Sequence, residues 1–180
     1  MKIIRASFLP VWLGVLCLLA AAQSAGGWIY FEPPGSQFSV YFPPACSPQF
    51  VVDKHPKPTE QTYLWRCTIP GTAVYLIGYT RYQHIDSASG EMAADRDNFV
   101  KGTNTVLLDQ HAISTDGITG LEFNSRSDKM IFRGRVWVRD HRAFAAFAGG
   151  TGAQLPAAAA GFMNSIHFKP AGSDGNNKSK

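Results

Sequence analysis

The chain has 180 residues, 45% of them hydrophobic, with 17 Lys+Arg against 13 Asp+Glu and a formal charge of +4. Much of that charge is peripheral, on Lys2 and Arg5 at one end and Lys178 and Lys180 at the other, so the body between is nearly neutral. The charge therefore gives no support for nucleic-acid binding, which needs basic residues gathered on a folded face, and the length suits one ordinary domain with a real core.

Lys2 and Arg5 precede an apolar run from Phe8 to Ala22 that leads into Gln23-Ser24-Ala25. This is the charged, apolar, small-residue order of a secretory signal peptide. A bilayer span takes about 20 apolar residues; this run is shorter and contains Pro10. Residues 1–24 are therefore expected to be a signal peptide, cleaved after Ala22 or after Ser24. The mature protein is expected to be periplasmic or extracellular, with no stable membrane span. Residues 25–169 form one expected domain, and 170–180 a polar tail with nothing to bury, expected to be disordered.

Strand signals dominate the domain. Trp28 to Phe31 is short and aromatic; Phe38, Val40 and Phe42 alternate with Ser39 and Tyr41 until Pro43-Pro44. Extended runs follow at Gln61 to Ile69 and Ala73 to about Tyr82. Glu91 to Lys101 reads as a helix, acidic early, with Met92, Phe99 and Val100 on one side and Gly102 as terminator. Thr105 to Leu108, His111 to Ser114, Ile118 to Asn124 and Met130 to Val138 read as strands again. Asp140-His141 then turns the chain into Arg142 to Ala148, a Gly149 to Gln154 loop follows, and a helix spans Pro156 to about Ile166.

The mature region keeps two cysteines, Cys46 and Cys67. If Phe50 to Lys54 pairs antiparallel with the strand from Gln61, turning between Pro56 and Lys57, then Cys46 lies directly across from Cys67. Cross-strand neighbours are close enough for a disulfide, and exported proteins seldom keep such pairs reduced. The alternative is two buried free thiols.

In the strand from Met130, Arg133, Arg135, Trp137 and Arg139 share one face and Met130, Phe132, Val136 and Val138 the other. A turn at Asp140-His141 sets Trp137 opposite Phe144 and Arg135 opposite Ala146. Arginine and aromatic side chains are favoured on partner surfaces, which makes this face the candidate partner-binding site. The competing reading has long arginine stems covering a helix or sheet edge, with Trp137 packed beneath.

Taken together, several segments resemble the exported bacterial branch of the PsbP-like fold family, which includes the extrinsic photosystem II protein and the Ran-binding transport factor. The resemblance rests on Phe38-Ser39-Val40-Tyr41-Phe42-Pro43, Val74 to Thr80, Ala94-Asp95-Arg96-Asp97, Gly120-Leu121-Glu122-Phe123, Arg133 to Val138 and Ala160 to Phe168, and spans roughly Trp28 to Phe168. It implies an α+β sandwich: a central antiparallel sheet of about six strands flanked by helices. It also implies docking onto partners and offers no family-wide catalytic residue to carry over.

Chemistry was sought independently in the residues. The five histidines are His55, His84, His111, His141 and His167. Only His84 has a carboxylate, Asp86, at strand spacing; with Glu91 it is the candidate divalent-metal site, against a solvated loop because no standard ligand spacing occurs. There is no Gly-x-Ser-x-Gly elbow, and Gly149-Gly150-Thr151-Gly152 lacks the Gly-Lys-Ser/Thr of a phosphate loop. No catalytic residue and no cofactor are therefore expected. The expected function is a periplasmic, non-catalytic module that binds a protein or envelope partner. The alternative is a hydrolase or metal-dependent enzyme whose site only the fold assembles, gathering His84, Asp86 or His111 with carboxylates.

Overall fold

A computed structural model of the protein describes residues 27–33, 35–51 and 59–170. The leader at 1–24, the turn around Pro56 and the tail from 171 lie outside the described residues. Among the described residues, no helix is long and apolar enough to cross a membrane.

Ten strands and two helices follow one another in an α+β arrangement. They are β1 (Ile29–Phe31), β2 (Phe38–Phe42), β3 (Gln49–Val51), β4 (Glu60–Ile69), β5 (Ala73–Tyr82), α1 (Ala88–Gly102), β6 (Val106–Thr115), β7 (Ile118–Arg126), β8 (Met130–Arg139), β9 (Arg142–Thr151), α2 (Ala159–Asn164) and β10 (His167–Phe168). Seven strands form one antiparallel sheet in the order β3-β4-β5-β9-β8-β7-β6, and β1-β2-β10 form a second, smaller one. The large sheet exceeds the expected six strands because the short β3 joins its edge. Helices cover less of it than expected: α1 lies on one face, while the small sheet and the short α2 share the other.

Period-two patterning builds both cores at once. In β5, Ala73, Tyr75, Ile77 and Tyr79 are buried toward the small sheet, where they meet Phe38, Val40, Phe42, Phe162 and Met163. The intervening side of β5 and β9 presents Leu76 and Phe147 to α1, whose Phe99 stacks on Phe147 at 3.9 Å between ring centroids. Helix α1 starts three residues earlier than the sequence pattern predicts. Ser87 caps it by accepting a hydrogen bond from the Gly90 amide at 3.2 Å, so Gly90 falls inside the first turn rather than before it.

Two other boundaries differ from expectation. Strand β9 continues through Gly149 and Gly150 to Thr151, because the ladder to β5 pairs Ala73 with Gly150. Residues expected as a connector are therefore strand. Strand β6 is one continuous element with a bulge between Leu107 and Asp109, rather than two extended pieces.

The β8–β9 hairpin has the expected register, Trp137 opposite Phe144 and Arg135 opposite Ala146. Its two-residue turn carries positive φ at both Asp140 (52°) and His141 (56°), the conformation that matches strand twist.

Cys46 and Cys67 are joined, with Cα atoms 5.5 Å apart, but the expected register is off by two residues. Strand β3 pairs Gln49 with Arg66 and Phe50 with Trp65, which puts Pro48 rather than Cys46 across from Cys67. Proline has no N–H to donate to a ladder, so pairing starts at Gln49. Cys46 instead approaches from the Pro43–Cys46 turn, closed by its own amide on the Pro43 carbonyl at 2.9 Å.

Candidate functional site

The Arg133/Arg135/Trp137/Arg139 face of β8 points into the space between the two sheets. Trp137 is 1% exposed, with its ring against Phe168 at 5.2 Å, which corrects the expectation of an exposed aromatic there. It fits because Gly120 lies opposite: a Cβ on that residue would come within 2.4 Å of the indole. The flanking arginines tie the layers together. Arg139 donates to the Lys169 carbonyl and to Gln37 Oε1, each at 2.9 Å. Arg135 donates to the Met163 carbonyl at 2.8 Å and to Asn164 Oδ1 at 3.2 Å, at the end of α2.

Glu122 on β7 anchors this arrangement. It is 6% exposed, and its Oε2 accepts from Arg135 Nε at 2.5 Å. Its Oε1 lies 3.7 Å from Arg133 Nε and 3.6 Å from His111 Nε2. The fold thus does bring His111 to a carboxylate. That carboxylate is already held by Arg135 and Arg133, so its role here is to neutralise buried cations. Sequence reading missed Glu122 because its partners lie across strands: Arg135 is its register partner on β8 and His111 on β6.

Beside this cluster a cleft of about 460 Å³ opens between the end of β6 and the α2–β10 segment. Ile113, Met163 and Ile166 supply its apolar wall, and Arg135, Asn164, Asp116 and His167 its polar rim. Asp116 accepts from the Phe168 amide at 2.8 Å, which fixes the rim, and His167 Nδ1 lies 3.5 Å from the same oxygen.

The cleft continues an open edge. Among the described residues β6 pairs only with β7, and most of its ten residues are exposed. Val106 is 70% and Leu108 49% exposed. They border a second hollow of about 540 Å³ with Arg126 and Asp128. Long, exposed, apolar-tipped edges are templates for another strand. The alternation in this region is too irregular to mark it from sequence, since the bulge breaks the period at Leu108.

His84 and Asp86 do meet, Nε2 to Oδ1 at 2.9 Å, but their side chains are 73% and 94% exposed. Glu91, the third residue considered with them, instead accepts from the Tyr82 hydroxyl at the start of α1. Among the described residues no group of three His, Cys, Asp or Glu is placed to hold a metal ion. His55 lies outside the described residues.

One titratable group departs from ordinary behaviour in a way the sequence did not suggest. Burial, followed by the nearby Glu91 and Glu60, raises the Asp95 carboxyl from 3.8 to about 6. Burial also pushes the Tyr82 phenol up, with the Glu91 hydrogen bond next in size.

No protein-family model and no curated protein matches the chain. Two solved structures are similar to it. One is a protein of unknown function, PA94, from Pseudomonas aeruginosa, with 11% identity, TM-score 0.40, and coverage of 70% of this chain and 84% of that one. The other, from Bacteroides thetaiotaomicron VPI-5482, has 13% identity and TM-score 0.37; the match covers 81% of this chain but 50% of that one.

Proposed function

We propose that the chain is an exported, non-catalytic interaction module of the PsbP-like kind, which engages a protein or envelope partner along β6. The observation that carries this reading is the ten-residue edge strand, paired on one side only among the described residues, with Val106 and Leu108 exposed at one end and the Arg135-rimmed cleft at the other. An added strand takes affinity from main-chain hydrogen bonds and specificity from pockets that receive alternate side chains. Export is supported by the charged and apolar leader and by the Cys46–Cys67 bridge, a bond that persists in oxidising compartments.

The test places a photo-crosslinking residue at Val106 or Leu108 and, as a control, at the exposed Asp97 or Asn98 on α1. A shared protein adduct from both edge positions and from neither helix position supports the reading; equal adducts from all four, or none, overturn it. N-terminal sequencing checks export separately. A mature protein starting at Gln23 or Ala25 in the periplasmic fraction supports it, and an uncut chain in cytosol refutes it.

A further inference from the structure

Helix α1 does not lie centrally over its face of the large sheet. It packs mainly against β8, with smaller contacts to β7 and β9, and leaves the β4–β5 side less covered. There the sheet presents small groups: Gly78 and Thr80 from β5, Thr62 from β4, and Ala145 from β9. They leave a trough of about 230 Å³, bounded on the helix side by Phe99 and Asp95.

The chemistry of the trough is lopsided. Its floor is apolar apart from the Thr62 and Thr80 hydroxyls, which hydrogen-bond to each other at 3.0 Å. Its helix wall carries one carboxyl group, Asp95, on which no hydrogen-bond donor is seated among the described residues. The groups near that carboxyl repel a second negative charge rather than neutralise it: Glu91 on the same helix, Glu60 on β4, and the Tyr82 phenol on β5, already committed to Glu91. Two carboxylates beside a half-buried third favour an incoming cation, and an apolar trough favours a short hydrocarbon body attached to it.

We infer that the trough between α1 and the β4–β5–β9 surface is a binding site for a small amphipathic amine, whose ammonium group is received by Asp95 and whose apolar part lies over Gly78 and Ala145. The charge-assisted hydrogen bond supplies the donor that Asp95 lacks. Because Asp95 titrates near 6, affinity for the cation falls as pH drops through that value. The site is separate from β6 and does not depend on partner binding there.

The test is a titration of the protein, followed by backbone amide NMR shifts, with n-butylammonium chloride, n-butanol and sodium butyrate. Saturable shifts centred on Gly78, Thr80 and Ala145 are expected, with butylammonium about tenfold ahead of butanol and butyrate without effect. Asp95→Asn is expected to remove the preference for the amine, and Ala145→Leu, which fills the trough, to remove both responses. Equal binding of butanol and butylammonium, shifts that do not saturate, shifts centred elsewhere, or an amine preference that survives Asp95→Asn would each overturn the inference.

Discussion

The two edges of the large sheet solve the same problem in opposite ways. An edge strand exposes unpaired N–H and C=O groups to any chain that can pair with them. At one end, β3 is three residues long, is preceded by Pro48, and is held to its neighbour by the Cys46–Cys67 bridge. At the other end, β6 runs for ten residues, carries no proline or lysine, and exposes Val106 and Leu108. Its bulge is the one blunting device it shows. One edge is closed covalently and the other left available, which is the asymmetry expected of a sheet that adds a strand in one direction.

The largest effect is expected at the closed edge. Replacing both Cys46 and Cys67 by serine frees a separation of 21 residues and is expected to cost about 3 kcal/mol in urea unfolding on the chain-entropy account. A loss below about 1 kcal/mol would mean that the β3 ladder, not the bridge, holds this end.

Next comes the support behind the open edge. Glu122→Gln leaves the Arg135 and Arg133 guanidinium groups facing a neutral amide in a buried setting, and is expected to cost about 2–3 kcal/mol. Destabilisation within about 0.5 kcal/mol would show that the arginines re-pair with solvent.

Between the edges, Asp95 links stability to pH. Its folded value, about 6, lies above the ordinary 3.8, so the native state holds the proton more tightly than the unfolded chain. Its contribution is complete below about pH 4 and is lost as pH rises through about 6. Asp95→Asn is therefore expected to stabilise the protein by about 2 kcal/mol at pH 7.5 and by almost nothing at pH 4. A gain that is the same at both pH values would contradict the buried-carboxylate account.

The smallest folding effect sharpens the comparison most. Leu108→Lys changes an exposed side chain and is expected to alter stability by less than about 0.5 kcal/mol. It is nevertheless expected to abolish the crosslink from position 106. Retention of that adduct would remove the apolar end of β6 from the interface.

What was legible in the residues followed a local rule in each case. Alternation at Phe38, Val40 and Phe42 marked β2, and the Asp140-His141 turn set the β8–β9 register because a two-residue loop fixes which residues oppose each other. The two faces of β8 were also legible; which face was solvent was not. Trp137 is enclosed because β10 and α2, remote in sequence, fold across it. The cysteine pairing was right although its register was two residues out, because a disulfide needs only proximity and the Pro43–Cys46 turn supplies it.

Local chemistry thus determined a strand-rich α+β chain, most of its strands, the acidic start of its one long helix and the partnership of its two mature cysteines. The candidate site was decided elsewhere. Glu122 meets Arg133, Arg135 and His111 across three strands, Asp95 faces β4 and β5, and β6 becomes an edge because of the order in which the strands assemble. Such groupings join residues separated by long stretches of chain, and only tertiary packing brings them within a few ångströms and sets whether water reaches them.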